Sequence, residues 1–127
     1  MSSAARILVV EDNPLNLKLV HDVLEASGYQ VIAATSGEEG LRLAAEQPPD
    51  LVLMDLQLPG IDGTETLHRL RNGTLAGRVP VVAVTAFAMA EDHLSAARSG
   101  FDGYLEKPIS VRSLVGQVEN FLHGGTS

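Results

Sequence analysis

The chain has 127 residues, 45% of them hydrophobic and 20% charged, and a formal net charge of -7. This balance predicts one globular domain with its own core; the acidic charge disfavours direct nucleic-acid binding, and the absence of cysteine excludes disulfides, thiolate metal sites and cysteine nucleophiles. Because no apolar run is long enough to cross a bilayer and the N-terminus lacks a secretory signal, we expect a cytoplasmic protein.

Short apolar runs alternate with segments of helical length along the chain. In chain order, the predicted strands are residues 6–10, 30–34, 51–54, 79–84 and 102–106. This alternation is typical of βαβ units and predicts an α/β fold with a doubly wound parallel sheet. Ligands of such sheets bind at the carboxyl ends of the strands.

Residues that favour a helix start precede four of the five predicted helices; they are Asn13, Ser36, Asp62 and Ser110. The apolar face predicted for the last helix consists of Val111, Leu114, Val118, Phe121 and Leu122. The fourth helix, predicted at residues 88–99, lacks a capping residue and has a thin apolar stripe. We therefore expect it to be the least firmly packed element.

Polar side chains stand at the ends of four predicted strands: Glu11 and Asp12 after the first, Asp55 after the third, Thr85 after the fourth and Lys107 after the fifth. Carboxylates that lie close together repel one another unless a hard cation such as Mg²⁺ binds them. A carboxylate can also attack phosphorus, a reaction that needs positioning and charge neutralisation. The pattern therefore predicts Asp55 as a nucleophile beside the metal ligands Glu11 and Asp12. Lys107 and Thr85 would then contact the phosphoryl oxygens.

Four stretches carry a family resemblance: "ILVVEDN", "DLVLMDLQLPGIDG", "VVAVTAF" and "YLEKPIS". In this order they resemble the signatures of the CheY-like receiver domain of two-component response regulators. The resemblance covers residues 5–123 and implies a single flavodoxin-like (βα)5 domain with the parallel sheet order 2-1-3-4-5. Residues 1–4 and 124–127 would be frayed ends, and no output domain is expected. The stretches "VEDNPLNLKLVHDVLEASGY", "TAFAM" and "KPISV" further resemble single-domain cell-division regulators of the DivK type.

The resemblance implies a role for each residue at the strand ends. Asp55 would accept a phosphoryl group from the phosphohistidine of a histidine kinase or a phosphotransfer protein, with Lys107 and Thr85 assisting. The reaction would require Mg²⁺ or Mn²⁺, held by Glu11, Asp12, Asp55 and the backbone carbonyl of Gln57. The protein would then be a phosphorylatable switch with only self-phosphotransfer and autodephosphorylation, and not an enzyme acting on other substrates.

The resemblance also implies a switch and partner surfaces. Thr85 and Tyr104 would remodel the face formed by the fourth helix, the fifth strand and the fifth helix, through which the protein binds downstream proteins as a monomer or a phosphorylation-dependent dimer. Two leucines of the first helix fall off its inward stripe, toward the strand ends. They are either half-buried against neighbours or part of a docking patch for the phosphodonor protein. The residues of that patch would be Leu15, Asn16, Leu19, Phe87 and Pro108.

Three alternatives stay open. The chain could be a receiver domain from a hybrid histidine kinase. It could be a phosphatase with an aspartyl nucleophile, but enzymes of the haloacid-dehalogenase type have a second Asp where this chain has Gln57. It could also be a pseudo-receiver that binds partners without phosphorylation, which the complete set of residues at the strand ends disfavours.

Overall fold

The computed structural model describes residues 4–73, 79–86 and 100–123. The predicted fourth helix at 88–99 and Phe87 lie outside these ranges, as do residues 1–3 of the predicted frayed end 1–4 and the whole of the predicted frayed end 124–127. The elements are β1 (Arg6–Val10), α1 (Pro14–Ala26), β2 (Gln30–Ala34), α2 (Gly37–Glu46), β3 (Leu51–Asp55), α3 (Gly63–Arg71), β4 (Val81–Thr85), β5 (Gly103–Glu106) and a C-terminal helix (Val111–Leu122).

The five strands form one parallel sheet in the order β2-β1-β3-β4-β5, which confirms the expected topology. β3 and β4 are buried along their whole length. Four strand ends differ from the prediction by one or two residues. β3 extends through Asp55, which lies opposite Val84 of β4. β4 spans Val81–Thr85 rather than 79–84, and β5 begins at Gly103 rather than at residue 102. The expected nucleophile is therefore the last residue of a central strand.

Alternate residues of β1 enter separate hydrophobic clusters. Ile7 and Val9 pack with buried residues of α1 and the C-terminal helix, whereas Leu8 and Val10 pack with buried residues of α2 and α3. Because successive strand residues point to opposite faces, helices cover the sheet on both sides. No helix in the described part of the chain is long and apolar enough to cross a membrane.

Three of the predicted helix caps form. Asn13, Ser36 and Asp62 each accept a backbone N–H from the first turn of their helix. Ser110 occupies the cap position of the C-terminal helix without a side-chain cap bond, and its Oγ lies 3.3 Å from Ser113 Oγ. The three formed caps fix the starts of α1, α2 and α3 at the carboxyl edge of the sheet.

The opposite edge of the sheet is held by Asp102. Its Oδ2 accepts the backbone N–H of Val81 at 2.8 Å and a guanidinium N–H of Arg71 at 2.7 Å. Arg71 also donates to the carbonyl of Val79 at 2.7 Å. These bonds fix the amino ends of β4 and β5 and connect them to the end of α3.

Candidate functional site

Parallel pairing brings the predicted site residues together at one edge of the sheet. β1, β3, β4 and β5 are consecutive neighbours, so their carboxyl ends lie side by side. Asp55 and Thr85 are the last residues of β3 and β4. Lys107 follows β5, and its backbone N–H donates to the carbonyl of Thr85 at 2.7 Å.

Asp55 has 4% of its surface exposed, and each of its carboxylate oxygens has a donor. Lys107 Nζ donates to Oδ2 at 2.8 Å, and the backbone N–H of Gln57 donates to Oδ1 at 2.9 Å. A buried carboxylate is costly unless it is paired and hydrogen-bonded, and Asp55 is both. The two bonds also fix the orientation of the carboxylate.

Glu11 is the second buried carboxylate of the site. Its Oε1 lies 3.0 Å from Lys107 Nζ, and its Oε2 accepts the backbone N–H of Asn13 at 3.1 Å. Burial, followed by the neighbouring carboxyl of Asp55, raises the pKa of Glu11 above its ordinary value. The site therefore holds closely spaced negative charge, and the ammonium of Lys107 lies between its two buried members.

Lys107 remains a cation in this environment. Burial alone lowers the pKa of its ammonium, but the hydrogen bonds to Asp55 and Glu11 outweigh that effect and the pKa is raised. The ammonium of Lys107 thus pairs with two buried carboxylates, with Asp55 at 2.8 Å and with Glu11 at 3.0 Å.

The carboxylates of Glu11, Asp12 and Asp55 fit a divalent cation. One oxygen of each lies within 4.8 Å of the others, and Asp12 is exposed while the other two residues are buried. In the described ranges this is the one acidic cluster with such spacing. Mg²⁺ takes oxygen ligands in an octahedron, usually with a few carboxylates and several waters. The donor set and the exposed side at Asp12 suit that coordination.

The predicted switch residues lie on adjacent strands. Thr85 is buried, and Tyr104 of β5 lies opposite Ala83 of β4, with its ring half-buried against the hydrophobic core. A cavity of about 370 Å³ lies between β5 and the C-terminal helix. Its lining includes Tyr104, Pro108, Ser113 and Gln117.

The predicted docking residues vary in exposure. Leu15 is 78% exposed, Pro108 is exposed, and Asn16 and Leu19 are half-buried. Phe87, the fifth member of the predicted patch, lies outside the described residues.

Helical periodicity missed one exposed apolar residue. Val111, predicted to face inward, is 50% exposed at the first position of the C-terminal helix. Leu15 and Val111 are the two exposed large hydrophobic residues of the described chain. Both lie in the first turns of helices that contact each other.

The family model described as response regulator receiver domain matches residues 7–119. The chain belongs to this family. It is 45% identical over 116 residues to the polar-differentiation response regulator DivK of Brucella ovis, a match that covers 91% of this chain and 94% of that protein. The receiver is therefore DivK-like, as its motifs indicate.

Solved receiver structures share the fold. The chemotaxis response regulator CheY4 of Vibrio cholerae has a TM-score of 0.87 and 25% identity, over 92% of this chain and 98% of that one. The receiver domain of a Pseudomonas aeruginosa sensor histidine kinase has a TM-score of 0.85 and 32% identity, over 95% and 99% of the two chains. That structure has a magnesium ion coordinated in its active site cleft. In this receiver, the cluster of Glu11, Asp12 and Asp55 supplies ligands that suit such an ion.

Proposed function

We propose that this receiver accepts a phosphoryl group on Asp55 from the phosphohistidine of a histidine kinase or a phosphotransfer protein. One observation carries the proposal: the buried carboxylate of Asp55 is fixed by Lys107 and the Gln57 amide, beside Glu11 and Asp12. If these residues only stabilised the fold through salt bridges, a third carboxylate at the same point would have no role. A phosphoacceptor with a bound metal ion uses all three carboxylates.

In the proposed transfer, an oxygen of the Asp55 carboxylate forms a bond to phosphorus while the phosphorus–nitrogen bond of the donor breaks. The electron pair of the broken bond stays on the imidazole nitrogen. Lys107, already bonded to Asp55, would pair with the oxygens of the new acyl phosphate, and the hydroxyl of Thr85 would donate to them. Mg²⁺ held by Glu11, Asp12, Asp55 and the carbonyl of Gln57 would neutralise part of the negative charge.

In the proposed function, the protein is a switch in two-component signalling. Its chemistry is limited to its own phosphorylation and the hydrolysis of its own acyl phosphate. Tyr104 lines the cavity at the C-terminal helix, and Thr85 lies on the neighbouring strand opposite Glu106, which also lines it, so a shift of Thr85 toward the phosphoryl group would alter that surface. Downstream proteins would bind there, in the cytoplasm, to a monomer or a phosphorylation-dependent dimer.

The docking surface for the donor protein is proposed at the first turns of α1 and the C-terminal helix. Exposed Leu15 and Val111 lie on contacting helices whose first turns stand at the same edge of the sheet as Asp55. Exposed apolar side chains beside a polar reaction site are typical of a protein-binding surface. Half-buried Leu19 and exposed Pro108 belong to the same proposed surface.

Intact-mass spectrometry after incubation with acetyl phosphate tests the proposal. We expect one phosphoryl adduct on the wild type in the presence of Mg²⁺ and none on Asp55→Asn. Asp50→Asn is the matched control because Asp50 lies just before the other end of the same strand and accepts the backbone N–H of Arg6. It should be modified like the wild type.

A folded wild type that gains no adduct from acetyl phosphate should next be incubated with a panel of phosphorylated histidine kinases and phosphotransfer proteins. Failure with every donor would favour a pseudo-receiver and refute the proposed phosphotransfer. An adduct that persists in Asp55→Asn would place the phosphoacceptor elsewhere and equally refute it.

A further inference from the structure

Gly37, the first residue of α2, is buried against the start of α3. A Cβ at this position would overlap Thr66 Oγ1 and lie 2.8 Å from Ile61 Cγ1. Real Cβ atoms do not approach other atoms so closely, so any side chain here forces Ile61 and Thr66 to move. The absence of a side chain at Gly37 therefore sets how closely α2 approaches the loop before α3 and its first turn.

The two residues that contact Gly37 belong to the structure that follows Asp55. Ile61 lies in the loop between β3 and α3, residues 56–62. We call it the metal-binding loop because it contains Gln57, whose backbone carbonyl is a proposed ligand of Mg²⁺. Thr66 is fully buried, and its Oγ1 donates to the carbonyl of Asp62 at 2.7 Å. Movement of Thr66 or Ile61 is therefore transmitted to the end of this loop.

The other side of the α3 start is packed against the end of β3. The N–H of Gly63 donates to the carbonyl of Leu56 at 3.2 Å. A Cβ at Gly63 would lie 2.5 Å from the carbonyl oxygen of Asp55 and 2.9 Å from the Cα of Leu56. The start of α3 is thus held between α2 and the backbone of the expected phosphoacceptor, with no free space on either side.

We infer that Gly37 is a positioning residue for the metal site: because it has no side chain, the metal-binding loop can pack where the Gln57 carbonyl and the Asp55 carboxylate would bind Mg²⁺. The inference rests on the proposed function of Asp55. It assigns a role to α2, which contributes no residue to the acidic cluster. The bond from the Gln57 N–H to Asp55 Oδ1 links the loop to the carboxylate directly.

Calorimetric titration of Gly37→Ala with Mg²⁺ tests this role. We expect a Kd roughly tenfold weaker than that of the wild type, in the range seen when groups supporting a metal ligand are changed. Phosphorylation by acetyl phosphate should slow at low Mg²⁺ and recover toward the wild-type rate at saturating Mg²⁺. In the metal-free protein, the amide resonance of Gln57 should shift.

A compensating change separates positioning from a general loss of stability. Gly37→Ala combined with Thr66→Ala removes the overlapping hydroxyl and should bring the Kd part of the way back to that of the Thr66→Ala single variant, because the contact with Ile61 remains. Gly116→Ala is the matched control because a Cβ there meets nothing within 4 Å, and its Kd should equal that of the wild type. If Gly37→Ala does not fold, Ile61→Ala tests the same contact from the loop side and should also weaken Mg²⁺ binding.

An unchanged Kd in folded Gly37→Ala, or in Ile61→Ala if that variant replaces it, overturns the inference. If adding Thr66→Ala leaves the loss of affinity caused by Gly37→Ala undiminished, the inference is also overturned, because the largest overlap would play no part in the effect. These results differ from failure of the proposed function, in which the wild type itself would not bind Mg²⁺ or accept phosphate.

Discussion

Replacing Lys107 with Met removes the one ammonium that contacts both buried carboxylates. Met has a similar length and no charge, so Asp55 and Glu11 keep their packing but lose their shared counter-charge. We expect a large loss in the free energy of unfolding at neutral and alkaline pH. The loss should shrink as the pH falls.

The size of the effect follows from the two distances. At an effective dielectric constant of about 20, charges 2.8 and 3.0 Å apart attract by about 5–6 kcal/mol each. Desolvation of the buried ions offsets several kcal/mol of this attraction, and removing one partner of a buried pair costs about 3–5 kcal/mol. Because the Lys107 side chain is 19% exposed, we expect the lower end, about 3 kcal/mol.

The pH dependence has a definite sign. Burial and Asp55 already raise the pKa of Glu11, and loss of the ammonium raises it further. The folded variant then binds a proton more tightly than its unfolded chain, so its stability increases as pH falls toward the raised pKa. The difference from the wild type should therefore be smaller at about pH 5 than at about pH 8.

Urea unfolding of both proteins at the two pH values, without divalent cations, measures the effect. Lys18→Met is the matched control, because Lys18 pairs with Asp22 on an exposed helix surface and its removal should change stability little at either pH. An equal loss for Lys107→Met at both pH values would refute the reasoning, because it would show that the charge of Glu11 does not depend on this ammonium.

Three further predictions concern other parts of the molecule. Asp102→Ala should lower the free energy of unfolding by about 2 kcal/mol in urea titrations, because two donors lose their acceptor, whereas Asp22→Ala should have little effect. Leu15→Asp should slow transfer from a phosphorylated protein donor but not from acetyl phosphate, with exposed Ala45→Asp as control; equal slowing with both donors would contradict the docking surface. Calorimetry should show Mg²⁺ affinity falling as pH drops toward the raised pKa of Glu11, and a pH-independent affinity would exclude Glu11 as a ligand.

The strands were predictable because buried parallel strands have continuous apolar runs, but their ends were not. Asp55 was predicted to follow β3, yet pairing continues through it, since the N–H of Leu56 still donates to the carbonyl of Val84 at 3.2 Å. A polar side chain does not end a strand while its backbone still forms hydrogen bonds with the neighbouring strand. Val79 was predicted to be in β4, but its carbonyl accepts from Arg71.

The residues that form the site were predictable from the sequence, but the contacts among their side chains were not. Residue types at successive strand ends identified Glu11, Asp12, Asp55, Thr85 and Lys107, while the strand order that makes the ends neighbours came from the family resemblance. The sharing of Lys107 between two carboxylates depends on side-chain distances that no sequence pattern encodes. The role of Gly37 was missed for the same reason, because its effect arises from contacts with residues of the following loop and helix.

The burial of Asp55 limits the groups that can reach its carboxylate. Asp55 has 4% of its surface exposed, while Asp12 beside it is exposed to solvent. A donor that phosphorylates Asp55 has to bring its phosphorus to a carboxylate that protein atoms cover almost completely. Under the proposed function, a phosphohistidine ring that projects from a helix, or a small free molecule, meets this requirement more easily than a phosphorylated residue on a flat surface. The burial of the acceptor would thus select donors by shape.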